Sequence, residues 1–174
     1  MPQLGPAVQT RAGAANAAAA VDCVLGGPLV TTPRAYEAAL AQILASDRTG
    51  TAAQIAQQES AQIDAQTGVV AAAAGGTRTY VGCIPLGYRV ESFTSSTASV
   101  SVWTEQIVAV EGRYAPASAY ITETLQLVWR GGAWKLESSE LLDTAWAPAP
   151  LEPALAESTT LPAQLLTFTP YGGS

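Results

Sequence analysis

The sequence predicts a single α+β domain in which N-terminal helices pack on a curved antiparallel sheet of about four strands. Three observations predict it. The first third of the chain is rich in alanine and glutamine and follows a helical period; from about Arg78 the pattern changes to alternation; and the alternating part contains Trp129-Arg130-Gly131-Gly132-Ala133-Trp134, two strand ends around a glycine pair. With 174 residues, one core is the expectation. The domain is placed at residues 7–140. Residues 141–174 read as a Pro-rich extension, a strap docked on the domain.

A first helix is expected from about Ala7 to Leu25, because alanine loses no side-chain entropy in a helix. It stops at Gly26-Gly27-Pro28, where glycine allows a left-handed cap and proline cannot continue the turn. A second starts at Thr31-Thr32-Pro33, with threonine as N-cap and proline at the first position, and runs to Ser46. Its Tyr36, Leu40, Ile43 and Leu44 share one face. A third covers Thr51 to Asp64, with Ile55 and Ile63 as its main apolar contacts. Val69 to Gly76 fits neither period clearly.

The first strand is read at Ile84–Phe93. The second follows a turn at Ser95-Ser96 and covers Ala98–Val110, with Ala98, Val100 and Val102 facing one way and Ser99, Ser101 and Trp103 the other. The third, Ala119–Arg130, sets Ile121, Leu125, Leu127 and Trp129 against Thr122, Thr124 and Gln126; Glu123 is the exception, a carboxylate on the apolar face. Gly131-Gly132 supplies the two positive-φ positions of a type I′ hairpin loop. The register follows, with Arg130 opposite Ala133, Trp129 opposite Trp134 and Leu127 opposite Leu136. Beyond Ser139, Trp146-Ala147-Pro148-Ala149-Pro150 and Pro153 forbid regular pairing. A short turn or helix is expected near Pro162–Leu166, and the apolar Leu165-Leu166-Thr167-Phe168 docks.

Composition narrows the function. The chain is 48% hydrophobic and 13% charged, which suits a packed core, and its net charge is −6 with eight basic residues dispersed along it. That distribution offers no footprint for a phosphate backbone, so direct nucleic-acid binding is not expected. There is no histidine, hence no imidazole base, proton shuttle or metal ligand. P-loop, nucleophile-elbow and Ser-x-x-Lys spacings are absent. Cys23 and Cys83 lack zinc-ligand spacing and read as one disulfide in an oxidising compartment or two buried thiols in a reducing one. No metal and no cofactor are expected. No run reaches the ~18 consecutive apolar residues of a membrane span. The nearest, Ala12–Val30, is interrupted by Asn16, Asp22 and Gly26-Gly27-Pro28, so the chain as given is expected to be soluble, without a signal peptide at its start.

Helices followed by four antiparallel strands and a Trp-x-x-Gly-x-Trp-Lys-Leu hairpin resemble the nuclear transport factor 2-like cone fold. Four segments carry a narrower resemblance to actinobacterial, membrane-anchored TcpC-type proteins, which are similar to the scaffold subunit of type IV secretion systems. They are Leu25-Gly26-Gly27-Pro28, Pro85-Leu86-Gly87-Tyr88-Arg89-Val90, Leu127 to Leu136, and Thr167-Phe168-Thr169-Pro170-Tyr171. The resemblance implies an extracytoplasmic domain behind a transmembrane anchor that these 174 residues do not include. It also implies conjugation or secretion partners, or a homo-oligomer. A bond from Cys23 to Cys83 would then pin the first helix to the first strand.

The candidate site residues follow from both arguments. Glu123, among Ile121, Leu125 and Leu127, is the one carboxylate that burial could tune for acid–base work, and the isomerase branch of the cone fold would pair such a base with donors such as Tyr120, Tyr88 or Glu91. Its structural alternatives are a bond to Arg89 or Arg113, or a bulge that turns it outward. Trp103, Trp129, Trp134 and Trp146 are pocket or interface candidates, with core packing as the simpler role for Trp129 and Trp134. Glu137, Glu140 and Asp143 read as a solvated face. The leading expectation is a non-enzymatic assembly domain of a conjugation or secretion apparatus; the alternative is a small-molecule-binding or isomerase/cyclase-like protein of the same fold.

Overall fold

A computed structural model describes residues 8–45, 52–141 and 169–170. Helices α1 (Arg11–Leu25), α2 (Pro33–Ile43), α3 (Ala52–Thr67) and α4 (Val69–Ala74) come first, with a 3₁₀ turn at Pro28–Thr31 between α1 and α2. Four long antiparallel strands follow: β1 (Thr79–Phe93), β2 (Thr97–Val110), β3 (Tyr114–Arg130) and β4 (Ala133–Leu141). A two-residue β5 (Thr169–Pro170) pairs with β1, giving the order β4-β3-β2-β1-β5. The chain therefore leaves the sheet at one edge and returns at the other. The architecture is α+β, helices on one face of an open antiparallel sheet. Trp146, Asp143, the Pro148–Pro153 segment and the expected turn near Pro162–Leu166 lie outside the described residues.

Helix α1 starts where the Thr10 hydroxyl accepts a hydrogen bond from the Gly13 amide. It buries Ala14, Ala15, Ala18, Ala19, Val21 and Val24, small residues that bring its backbone close to the sheet. The stretch Arg11–Thr31 has the length and hydropathy of a membrane span, and half of its apolar window is buried in the fold. The stop at Gly26 needs no left-handed residue, since Gly26 has φ −107° and its amide caps back to the Asp22 carbonyl. Helix α2 buries Tyr36, Leu40 and Ile43 as its period predicts. It ends at Ile43, short of the expected Ser46, because Leu44 turns extended and bridges to Leu136 while the Ala45 amide donates to the Leu136 carbonyl at 2.9 Å. That contact adds backbone to the β4 edge, and it outweighs further helix.

In the sheet the hairpin has the register expected of a two-residue loop: Arg130 opposite Ala133, Trp129 opposite Trp134, Leu127 opposite Leu136. Gly131 and Gly132 have φ +58° and +77°, the left-handed pair that this turn requires. Alternation sorts the strands into two faces. Cys83, Thr104, Glu123, Val100, Leu125 and Trp134 face the helices; Tyr80, Ile84, Trp103, Ser101 and Tyr120 face away. The core lies between helices and sheet, with Tyr36, Leu40, Val100, Val102, Leu125 and Leu127 sealed from solvent.

Candidate functional site: a buried aspartate beside Glu123 and an outer aromatic face

The residues singled out in the sequence divide between the two faces. Trp129 and Trp134 lie on the helix side, their rings edge to face with centroids 5.3 Å apart. Phe93 packs on Trp134 at 6.0 Å, and the indole N–H of Trp134 donates to the Val8 carbonyl at 3.1 Å. Trp134 is 5% exposed, so this tryptophan is core packing with a satisfied polar tip.

Trp103 and Tyr120 are neighbours on the opposite face, half-buried, with ring centroids 6.0 Å apart. Along the same face of β1, Tyr80 and Ile84 are 57% and 43% exposed. Gly82 between them leaves room for the Tyr80 ring to lie along the strand, since a Cβ there would stand 2.9 Å from the Tyr80 hydroxyl. β5 covers β1 only at Gly87 and Tyr88. Among the described residues no strand pairs with the outer edge of β1 from residue 79 to 86, and Pro85 in that stretch has no amide to offer a further strand.

Towards the strand turn the outer face is polar and internally bonded. Ser101 donates to the Glu91 carboxylate at 2.6 Å and shares a 2.9 Å hydrogen bond with Thr124, and Arg89 Nε reaches the same Glu91 oxygen at 2.7 Å. Burial by itself would raise the Glu91 carboxyl, but the hydrogen bonds from Ser101 and Arg89 hold it below its ordinary value. Arg89 therefore serves Glu91 instead of Glu123, and Arg113 turns to the Gly68 carbonyl.

Glu123 has a different partner. It neighbours Asp22, which α1 carries into the interface between helix and sheet. Asp22 is 1% exposed, on the same buried stripe as Ala15, Ala18 and Ala19. Desolvation first, then the neighbouring carboxyl of Glu123, push Asp22 well above the ordinary carboxyl range. Thr104 stands beside it and favours the charged form, yet neither Thr104 Oγ1 nor Asp22 Oδ2 makes a hydrogen bond of proper geometry, although both are fully buried. Burial raises Tyr36 and Glu59 too, helped by the charges of Glu59 and Glu123 on Tyr36 and of Glu123 on Glu59. The Tyr36 hydroxyl donates to the Leu25 carbonyl at 2.9 Å.

The alternation of β3 placed Glu123 on the inner face, but the partners expected for it fall elsewhere. Tyr120 and Glu91 face away from the helices, while Tyr88 lies in the same row as Glu123, opposite Val102. Asp22 went unnoticed as a site residue. The helical period that groups it with the buried alanines was the signal that could have found it.

Next to the pair, Cys23 and Cys83 form a disulfide with Cα atoms 5.4 Å apart, which fastens α1 to β1. Asp22, Cys23 and Cys83 are also the one group of three ligand-type side chains gathered within 4.8 Å among the described residues, and the disulfide takes up both sulfurs. Away from this cluster, Arg11, Ala12, Tyr88, Arg89, Val90 and Thr169 line a hollow of about 360 Å³ where α1 meets the β1 edge. No protein-family model, curated protein or solved structure matches the chain.

Proposed function

We propose that this chain is a non-enzymatic, extracytoplasmic assembly domain of a conjugation or type IV secretion-like apparatus, built as a nuclear transport factor 2-like cone with a docked Pro-rich strap. The observation that carries the reading is the margin of β1. Exposed Tyr80 and Ile84 lie on one face, on either side of Gly82, of a strand whose outer edge has no described strand partner from 79 to 86, the arrangement through which a partner adds contacts to a sheet. The disulfide supports the compartment, since such bonds persist in oxidising surroundings. In the native setting an anchor upstream of the domain would hold it at the membrane.

Size-exclusion chromatography with light scattering, followed by photocrosslinking from positions 80 and 84 in the host envelope, tests the proposal. Self-association or a discrete envelope crosslink is expected, and both should weaken in Tyr80→Arg and Ile84→Arg. A strictly monomeric protein with no envelope partner overturns it.

The carboxyl pair favours a second reading, a small-molecule-binding or isomerase/cyclase-like protein of the same cone, with Glu123 as base. It requires a substrate-sized cavity opening on Glu123, whereas the 360 Å³ hollow is lined by other residues. Turnover of a candidate substrate that vanishes in Glu123→Gln would establish it.

A further inference from the structure

Among the described residues Asp22 is the one acidic side chain sealed in the core, at 1% exposure, and its Oδ2 atom has no hydrogen-bond partner. A buried polar atom left without a partner costs free energy that a ligand at that place would recover. Three further observations say which ligand. Asp22 lies in the last turn of α1, which ends at Leu25 and carries no basic residue there, so the negative end of the helix dipole adds to the carboxylate in favouring a cation. Cys23 follows on the same turn, and Cys83 comes from the neighbouring strand β1; both sulfurs and a carboxylate oxygen of Asp22 lie within 4.8 Å of one another. Among the described residues no basic side chain pairs with Asp22, and the ion pairs formed are Arg78 with Glu111 and Arg89 with Glu91. Thr104 Oγ1 on β2 is a second fully buried oxygen without a partner.

We propose that reduction of the Cys23–Cys83 bond turns this cluster into a binding site for a thiophilic divalent cation, zinc by its ligand chemistry. In the oxidised protein the sulfurs are bonded to each other, and one carboxylate is too little to hold a metal. A dithiol reductant supplies two electrons and two protons, ends as its own disulfide and leaves two cysteine thiols. Both thiols then release their protons as the cation binds. A tetrahedral zinc would take two sulfurs at about 2.3 Å and an Asp22 oxygen at about 2.0 Å, with the sulfurs about 3.8 Å apart. Cys23 and Cys83 are half-buried, so reductant and water reach the cluster from the sulfur side, and water fills the fourth position. Two thiolates disfavour calcium and magnesium, which take oxygen ligands, while the carboxylate and thiolates together suit zinc. Occupied, the site joins α1 to β1 where the disulfide does, so one staple replaces the other. No local motif could announce it, since 60 residues separate the cysteines and only the fold gathers the set.

Cobalt(II) is the probe, because thiolate ligation gives it a charge-transfer absorption in the near ultraviolet and zinc displaces it. The full chain, produced without a histidine tag, has no histidine and no cysteine besides these two, so such a band reports this site. Titrated without oxygen under a phosphine reductant, wild type should develop the band up to one cobalt per chain and lose it when zinc is added. Oxidised protein and Cys83→Ser should not develop it. Asp22→Asn should keep thiolate ligation but bind zinc at least about tenfold more weakly. Asp22→Ala carries the same expectation if Asp22→Asn folds poorly. Zinc should also raise the melting temperature of reduced wild type more than that of reduced Asp22→Asn. No band in reduced wild type overturns the proposal, as does a band that saturates at one cobalt per two chains. So does equal zinc affinity in wild type and both Asp22 variants, the result expected of a reduced chain that has unfolded and holds metal through its thiolates alone.

Discussion

At the hairpin end of the helix-facing sheet surface, Trp134 packs edge-on against Trp129 and beneath Phe93, with Leu127 and Leu136 adjacent and its single polar atom bonded. Farther along the same surface, Asp22 is buried just as deeply but meets Glu123, with two oxygens around it unbonded and a disulfide alongside. One region is held by area and shape, the other by a covalent bond beside a polar contact that opposes burial. Burial alone therefore does not reveal what a residue contributes; the same low exposure marks a stabilising tryptophan and a costly aspartate.

Breaking the apolar region should have the largest effect. Trp134→Ala is expected to lose about 3–5 kcal/mol in denaturant unfolding, from lost burial and the cavity left behind. Breaking the covalent hold comes next: closing a loop over a sequence separation of 60 residues restricts the unfolded chain by about 4 kcal/mol, so Cys23→Ser with Cys83→Ser should lower stability by about that amount. Replacing the carboxyl pair by apolar residues, Asp22→Leu with Glu123→Met, should be neutral or stabilising by up to about 4 kcal/mol at neutral pH. A large loss there would show that the pair supports the fold as the tryptophans do. Gly132→Ala places a side chain at φ +77° and should cost about 1–2 kcal/mol, leaving the carboxyl region untouched. The smallest effect is electrostatic. Since Glu91 is held below its ordinary value, its contribution is present above the pH at which an unfolded glutamate titrates and lost as pH falls through the folded value, opposite in direction to Asp22. A weakened acid limb in the stability profile of Ser101→Ala would show it.

The same comparison explains what the sequence could disclose. The hairpin register was legible because it depends on residues 127–136 alone, where two glycines fix the loop and alternation fixes the faces. Glu123 was legible as an oddity on its strand for the same reason. Its partner was not: pairing Asp22 with Glu123 requires the rotation of α1 and its crossing over β2 and β3, which tertiary packing decides. The end of α2 was misplaced for a related cause, because Leu44 and Ala45 are drawn to a strand edge nearly a hundred residues later. Local rules gave the elements, and contacts distant in sequence made the junction.

The Cys23–Cys83 bond encloses the end of α1, all of α2, α3 and α4, and the start of β1 within one covalent ring. A protease that cuts once anywhere between these cysteines opens that ring without producing a second molecule. On a non-reducing gel the nicked protein migrates as one species, and only a reductant separates its halves. In an environment rich in proteases, such a domain can be cut among its helices while its β1–β4 sheet stays attached to everything upstream of the cut.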